Sequence, residues 1–252
     1  MSGISVPQVA LFAMGDIDLE QLADGYRHRP MSESARQRAI VSADGSKGWL
    51  LDIGGGTGGH AATWVAAGRR PVVVDPSSRM AARAREMREV EVVQGRAQAL
   101  PFADNSVDLA YFHLSIHYGE WPRAVEESLR VTRPGGRVEI WTMAPSAIQR
   151  SSLGEWFPKV VEIDTARFPE PQQIAEFCTS RSGTVQMYDV QEVIERPAGE
   201  WMQAVQDRFV STLQLLSDDE IAEGITRFRA AHPDVGALYR SHLTLTRISI
   251  VV

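Results

Sequence analysis

The stretch Leu50–His60, LLDIGGGTGGH, decides how this chain is read. An apolar run, Trp49–Leu51, ends in Asp52, and five glycines fall between Gly54 and Gly59. Ala61–Ala67 then has the composition of a helix. The pattern is strand, tight glycine turn, helix. Glycine has no Cβ, so Gly54, Gly55, Gly56 and Gly58 let a ligand lie against bare backbone or let the chain take positive φ. A helix starting there directs unsatisfied N–H groups at that ligand. A nucleotide-like cofactor is the first expectation.

The glycines alone leave the cofactor open. Gly54, Gly56 and Gly59 also satisfy G-x-G-x-x-G, the dinucleotide fingerprint. Asp52, two positions before the first glycine, discriminates. A carboxylate there repels a pyrophosphate. It attracts an ammonium group by roughly 4 kcal/mol at 4 Å with an effective dielectric of 20. S-adenosylmethionine carries such an ammonium. The run D-x-G-x-G-x-G over Asp52–Gly58 resembles motif I of the class I S-adenosylmethionine-dependent methyltransferases.

The following segments extend the resemblance. Pro71–Asp75 (PVVVD) reads as a second buried strand ending in an acid, with Pro76 after it. Asp75 lies 21 residues beyond Gly54, where either cofactor family places the carboxylate for the ribose hydroxyls. Glu91–Val93 is a third strand. It leads into GRAQALPFADNSVD (Gly95–Asp108), similar to the family's G-D-A-x-x-L-P-F-x-D-x-S-F-D. Val107–Phe112 is a fourth strand, followed by LSIHY (Leu114–Tyr118) and a helix over Arg123–Val131. RPGGRVEIW (Arg133–Trp141) resembles the L-K-P-G-G turn and fifth strand. The resemblance covers Trp49–Met143 and fits best the small-molecule group that includes the ubiquinone and menaquinone methylating enzymes.

That resemblance implies an α/β, Rossmann-like fold: a seven-stranded, mostly parallel sheet with helices on both faces and an antiparallel last strand. It implies S-adenosyl-L-methionine as cofactor, S-adenosyl-L-homocysteine as product and a small-molecule acceptor. It places Asp52, Gly54, Gly55, Gly56, Gly58, Asp75, Pro76, Arg96, Ala97, Gln98 and His113 around the cofactor. Arg96 departs from the pattern, because the family has an acid there that accepts from the adenine amino group. Arginine only donates. A backbone carbonyl or Gln98 then replaces it, or Arg96 stacks on the ring or turns to solvent, while the Ala97 amide donates to a ring nitrogen.

His117 matches a histidine of the L-x-H-H stretch after strand four in related tailoring methyltransferases, with Tyr118 in place of the second. Histidine titrates near neutrality, so His117 is the candidate general base; anchoring of the loop is the alternative. His113 is expected to line the methionine pocket. No HExxH or close His/Asp/Glu set accompanies them, Glu120 apart, so no metal site is expected, and a magnesium-assisted catechol-type site stays open. No N-P-P-Y or D-P-P-Y follows strand four, which argues against methylation of a base amino group or glutamine amide. Two rivals stand: a non-catalytic protein binding the same adenosyl ligand, and an NAD-dependent oxidoreductase, which Asp52 and GRAQALPF disfavour.

Composition sets wider bounds. A chain of 252 residues, 44% hydrophobic and 23% charged, is expected to form one large domain. A net charge of −6 argues against a nucleic-acid partner. Arg79, Arg83, Arg85 and Arg88 are interrupted by Glu86 and Glu89 and read as a solvated helix face. Cys178 is the only cysteine, so no intrachain disulfide can form, and a cytoplasmic setting is the default. It sits in an amphipathic run and reads as a small core residue. No apolar run approaches the roughly 20 residues of a membrane span, and no basic-then-apolar signal pattern opens the chain. A monomer or homodimer is expected.

Along the chain, 1–45 reads as a helical cap with helices over Asp18–Asp24 and Ser32–Val41, joined by the polar and aromatic run Tyr26–Pro30. In the family such a piece often closes over the cofactor. The core spans 46–145. In 146–252, Ser146–Pro158 reads as loop and short helix, Pro171–Thr179 as helix and Thr184–Glu192 as strand. Pro197–Leu216 and Asp218–Ala231 read as helical, the latter with a Ser217–Glu220 capping box. Leu243–Val252 is the closing strand. The insertion at about 197–240 separates strands that pair directly in the family. It reads as a lid on the substrate side, or equally as padding of the sheet edge or a dimer face. Trp156, Phe157, Phe168, Trp201 and Phe209 are expected in the core, with one or two in an acceptor pocket.

Overall fold

Seven strands are hydrogen-bonded side by side: β1 (Trp49–Ile53), β2 (Arg70–Asp75), β3 (Glu91–Gln94), β4 (Val107–His113), β5 (Thr132–Thr142), β6 (Val185–Pro197) and β7 (Leu238–Val251). Their order is β3-β2-β1-β4-β5-β7-β6. The computed structural model describes residues 17–25, 32–181 and 184–252, so the expected Tyr26–Pro30 segment lies outside the described residues. β1 is parallel to β2 and to β4, and β4 to β5. β7 runs antiparallel to β5, from Arg137↔Val251 to Thr142↔Thr246. This is the expected Rossmann-like sheet. Strand order reverses between β1 and β4, which puts the glycine turn after β1 at the switch point where such sheets bind ligands.

The described helices are α1 (Leu19–Gly25), α2 (Glu33–Ser42), α3 (Gly59–Ala66), α4 (Ser78–Arg85), α5 (Trp121–Val131), α6 (Pro145–Gln149), α7 (Ser152–Trp156), α8 (Pro158–Arg167), α9 (Pro171–Thr179), α10 (Ala198–Gln206) and α11 (Asp218–Ala231). The chain divides into two compact units. One holds 32–143, Pro169–Val190 and Thr246–Val252. The other holds Ala144–Phe168 and Gln191–Leu245 with the described N-terminal residues 17–25.

In the sheet unit, the two faces of the central strands differ in chemistry. Leu51, Ile53, Ala110, Phe112, Val138, Ile140, Ile248 and Ile250 form one apolar core with Val125 of α5 and with Ile174 and Cys178 of α9. The opposite face carries Asp52, Tyr111, Glu139, Trp141 and Arg247, all buried. Side chains alternate along a strand, so this polar set shares one face. Arg247 Nη2 and Nε each donate to Glu139 at 2.7 Å, and Ser249 Oγ adds a bond of 2.8 Å. On this face Trp64 of α3 donates to Ala39 O of α2 at 2.8 Å, and Trp141 to Ser42 Oγ at 3.1 Å. Cys178 is fully buried, and burial pushes its thiol up to about 12.

The helical unit has its own core of Phe157, Trp201, Leu213, Phe228 and Tyr239. Trp201 stacks on Phe228 with ring centroids 4.2 Å apart. Gly224 sits inside α11, where glycine costs about 1 kcal/mol against alanine. A Cβ there would lie 2.1 Å from Phe157 Cε1, so close packing of the ring explains it. Arg167 of α8 donates to Thr212 Oγ1 at 3.1 Å, and Thr212 in turn to Asp164 at 2.6 Å. The Ser217–Glu220 capping box forms as expected.

Three elements differ from expectation. The single helix expected over Pro197–Leu216 is α10 plus a 3₁₀ turn at Ser211–Leu215. Arg208 takes φ 51° and ends α10, with its N–H donating to Val205 O at 2.9 Å. After β5, α6 and α7 occupy the stretch expected as loop and short helix, and α8 follows where no element was expected; α6 and α8 each have proline in the first turn. That pre-set φ suits a helix start, although α7 begins at Ser152 and has Ser151 as its cap instead. β6 is longer than the strand expected over Thr184–Glu192, and β7 starts before Leu243.

Candidate functional site

The turn after β1 is built from left-handed glycines. Gly54, Gly56 and Gly58 take φ of 70°, 57° and 82°. Gly54 N–H donates to Val74 O at 2.7 Å, which ties the turn to the end of β2. A Cβ on Gly54 would lie 2.5 Å from Ser115 Cβ. Ser115 itself donates to Ile53 O at 2.6 Å. The exit of β4 is thus folded against the exit of β1, and only glycine fits between them. Gly58 is the N-cap of α3 and offers no side chain, so the helix start presents bare backbone.

Two carboxylates flank this turn. Asp52 is 1% exposed, and its Oδ2 has no hydrogen-bond partner. Burial first, and the Asp75 charge second, push it from 3.8 up to about 7, against the pull of the Ala61 backbone N–H. A Cβ on Gly55 would lie 2.7 Å from that Oδ2, so the missing side chain is what leaves the oxygen clear. Asp75 Oδ2 accepts from Gly56 N at 2.9 Å, and Oδ1 from Ser77 N at 2.9 Å. The pair suits a cationic group and a diol, and opposes a pyrophosphate. Pro76 is exposed at the start of the loop, and Ser77 caps α4 by accepting from Met80 N at 3.1 Å.

The loop after β3 turns back on itself through Ala99 N–H donating to Arg96 O at 3.1 Å. Arg96 is exposed, and Ala97 and Gln98 are half-buried. Gln98 Nε2 donates to Tyr118 O at 2.9 Å, which fixes its amide and orients Oε1 as an acceptor. Gly119 accommodates it: φ is +94°, and a Cβ would meet Gln98 Nε2 at 2.6 Å. Sequence reasoning passed over Gly119, although a glycine directly after LSIHY was the available signal.

The segment after β4 carries the histidines. Leu114 takes φ 53°, a left-handed conformation that costs a non-glycine residue about 1–3 kcal/mol and clusters at functional sites. His117 is 4% exposed, and its ring lies 4.3 Å from that of Tyr118. His113 is half-buried, and its ring lies 4.5 Å from that of His60. Arg38 Nη2 lies 3.3 Å from His113 Nε2. Arginine can only donate, so His113 Nε2 accepts and its ring proton sits on Nδ1. The structure therefore brings Asp52, the glycines and Asp75 together at one strand edge. Arg38, His60 and Tyr111, which no motif announced, lie in the same layer. Among the described residues no group of three or more His, Cys, Asp or Glu could hold a metal ion.

Residues 51–140 match the family model described as "Methyltransferase domain". This segment resembles a methyltransferase domain. Every candidate site residue, from Asp52 to His117, falls within it. The chain is 37% identical over 105 residues to malonyl-[acyl-carrier protein] O-methyltransferase of Pectobacterium atrosepticum, covering 41% of this chain and 42% of that protein. It is 43% identical over 149 residues to the ubiquinone/menaquinone biosynthesis C-methyltransferase of Rubrivivax gelatinosus, covering 50% of this chain and 59% of that one. The chain spans about half the length of the curated relatives it matches. An Anabaena variabilis protein, solved as a methyltransferase candidate from an antibiotic biosynthesis pathway, shares the fold. Its TM-score is 0.69 at 20% identity, over 87% of this chain and 97% of that one.

Proposed function

We propose that this protein transfers a methyl group from S-adenosylmethionine to a small-molecule acceptor. The observation that carries the reading is the buried Asp52 Oδ2, without a partner and beside three left-handed glycines. The named relatives support it, since those with curated names act by O- or C-methylation. When bound, the cofactor supplies a methyl group already activated on a sulfonium, so the protein's share is positioning and, where needed, proton removal.

Asp52 receives the ammonium group and gives up its proton to do so. Asp75 accepts from the ribose hydroxyls, with Gly56 N–H holding its second oxygen in line. Gln98 Oε1 takes the adenine amino group, the acceptor role that the donor-only Arg96 cannot fill. Gly54, Gly55 and Gly58 keep the backbone bare, and Pro76 and Ala97 border the adenosyl moiety. His113, fixed by Arg38, lines the methionine end, and its occupied Nε2 makes it the poorer base. His117 takes the acceptor's proton, if that acceptor has one to lose. A cytoplasmic enzyme acting as a monomer or homodimer on small molecules, with no nucleic-acid partner, completes the reading. Among the described residues no helix is long and apolar enough to cross a membrane.

The test is transfer of a labelled methyl group to a panel of phenols, quinols and carboxylic acids. Label in any acceptor supports the reading. Tight cofactor binding with no transfer to any acceptor would leave a cofactor-binding protein instead.

A further inference from the structure

Two buried polar atoms of the sheet's polar face have no hydrogen-bond partner: Asp52 Oδ2 and the Tyr111 hydroxyl. Asp52 of β1 and Tyr111 of β4 are register neighbours on parallel strands. Adjacent strands lie about 4.8 Å apart, so both side chains rise from the same face side by side. They are 1% and 0% exposed. Edge-on contacts with Trp64 and His60, at centroid distances of 5.1 and 5.4 Å, hold the Tyr111 ring. A phenylalanine would fill the same space without burying a hydroxyl. An unmatched buried polar group costs about 1–3 kcal/mol, and here one atom is a donor and its neighbour an acceptor.

We propose that Tyr111 is a positioning residue of the cofactor site: its hydroxyl donates through one bridging water to Asp52 Oδ2 and holds that carboxylate ionised for the cofactor's ammonium group. The inference rests on the proposed role of Asp52. Burial and the Asp52 charge push the Tyr111 phenol well above its ordinary value, so it stays a donor at every working pH. Asp52 itself is pushed up to about 7, where a donor to its charged form changes its ionised fraction most. The other groups around it do not perform this task. Asp75 of β2 opposes ionisation, while the Ala61 N–H of α3 favours it. Glu139 of β5 is matched by Arg247 of β7. Arg38 of α2 is directed at His113 of β4, whose ring also faces His60 of α3.

The test is Tyr111→Phe, read in two ways. Carbon NMR of the Asp52 carboxyl in the ligand-free protein should show its midpoint rising by about one pH unit in the variant, the size expected when a charged hydrogen bond is lost. Calorimetry with S-adenosylhomocysteine should show the variant about five-fold weaker than wild type at pH 7 and equal to it at pH 9. The ligand's own amino group titrates alike against both proteins, so the ratio is what is read. Should the variant fold poorly, the Tyr111 phenol carbon of the wild type must itself shift with the Asp52 midpoint. An unmoved Asp52 midpoint, or a loss of affinity equal at both pH values, would overturn the inference and leave Tyr111 as core packing. Failure of S-adenosylhomocysteine to bind wild type while the midpoint moves would instead overturn the proposed role of Asp52.

Discussion

At the scale of the residue, Asp52 binds a proton that an unfolded chain would release. Its folded value of about 7 stands above the ordinary 3.8, so the ligand-free protein loses stability as pH climbs from about 4 to about 7. Asp52→Asn is expected to stabilise the ligand-free protein at pH 8 by on the order of 2 kcal/mol, read as a higher melting temperature. The same change should weaken S-adenosylhomocysteine at least ten-fold. A lower melting temperature with unchanged affinity would contradict this account. Asp108 behaves in the opposite sense. Burial raises its value, but Arg133 and the N–H groups of Gly48 and Lys47 outweigh that and hold it at about 2. Its stabilisation is present above about 4 and is lost as pH falls toward 2. Asp108→Asn should therefore melt earlier than wild type at pH 7, with the gap closing in acid. His117→Ala is expected to lower turnover by roughly 10²–10⁴ with cofactor affinity little changed. The acidic limb of the pH profile should vanish with it, and an unaltered rate and profile would remove His117 as base.

At the scale of the element, the exits of β1 and β4 form the candidate site together. Gly54→Ala would place a methyl group 2.5 Å from Ser115 Cβ at a left-handed φ, so cofactor binding should fall sharply while far-ultraviolet dichroism stays near wild type. Normal affinity in that variant would mean that the turn is not the binding element. Much of this was legible in the chain. Alternation of apolar runs with glycine turns announced β1 through β5, and S-x-x-E announced the start of α11. Other features were not legible because tertiary contacts decide them. Arg208 ends α10 without a glycine, and Leu114 bears a left-handed φ where no breaker stands. The sequence offers Gln98 as a stand-in for the missing acid. Its bond to Tyr118 O, which orients the amide, needs a residue 20 positions away. Tyr111 and Arg38 read as strand and helix filler because nothing local shows that Tyr111 pairs in register with Asp52 or that Arg38 reaches His113.

At the scale of the whole molecule, the sheet is parallel where motifs recur and antiparallel where the chain returns late, at β7. The buried Glu139–Arg247 pair bonds that last strand to β5. Glu139→Ala strands a buried guanidinium and should cost about 3–5 kcal/mol in denaturant unfolding. A cost under 1 kcal/mol, the range of an exposed pair, would show that the pair is not desolvated. The division into a sheet unit and a helical unit follows from this path, since the sheet unit takes 169–190 and 246–252 from either side of 191–245. The 197–240 insertion reads from sequence as one feature, whereas the structure assigns Ala144–Phe168 to the same unit. The central claim is that the glycine turn between two carboxylates selects an adenosyl ligand bearing an ammonium group. The most direct measurement is calorimetric titration of the protein with S-adenosylmethionine and, separately, with NAD. The account predicts saturable binding of S-adenosylmethionine and no heat with NAD; tight NAD binding without a response to the adenosyl ligand would contradict it.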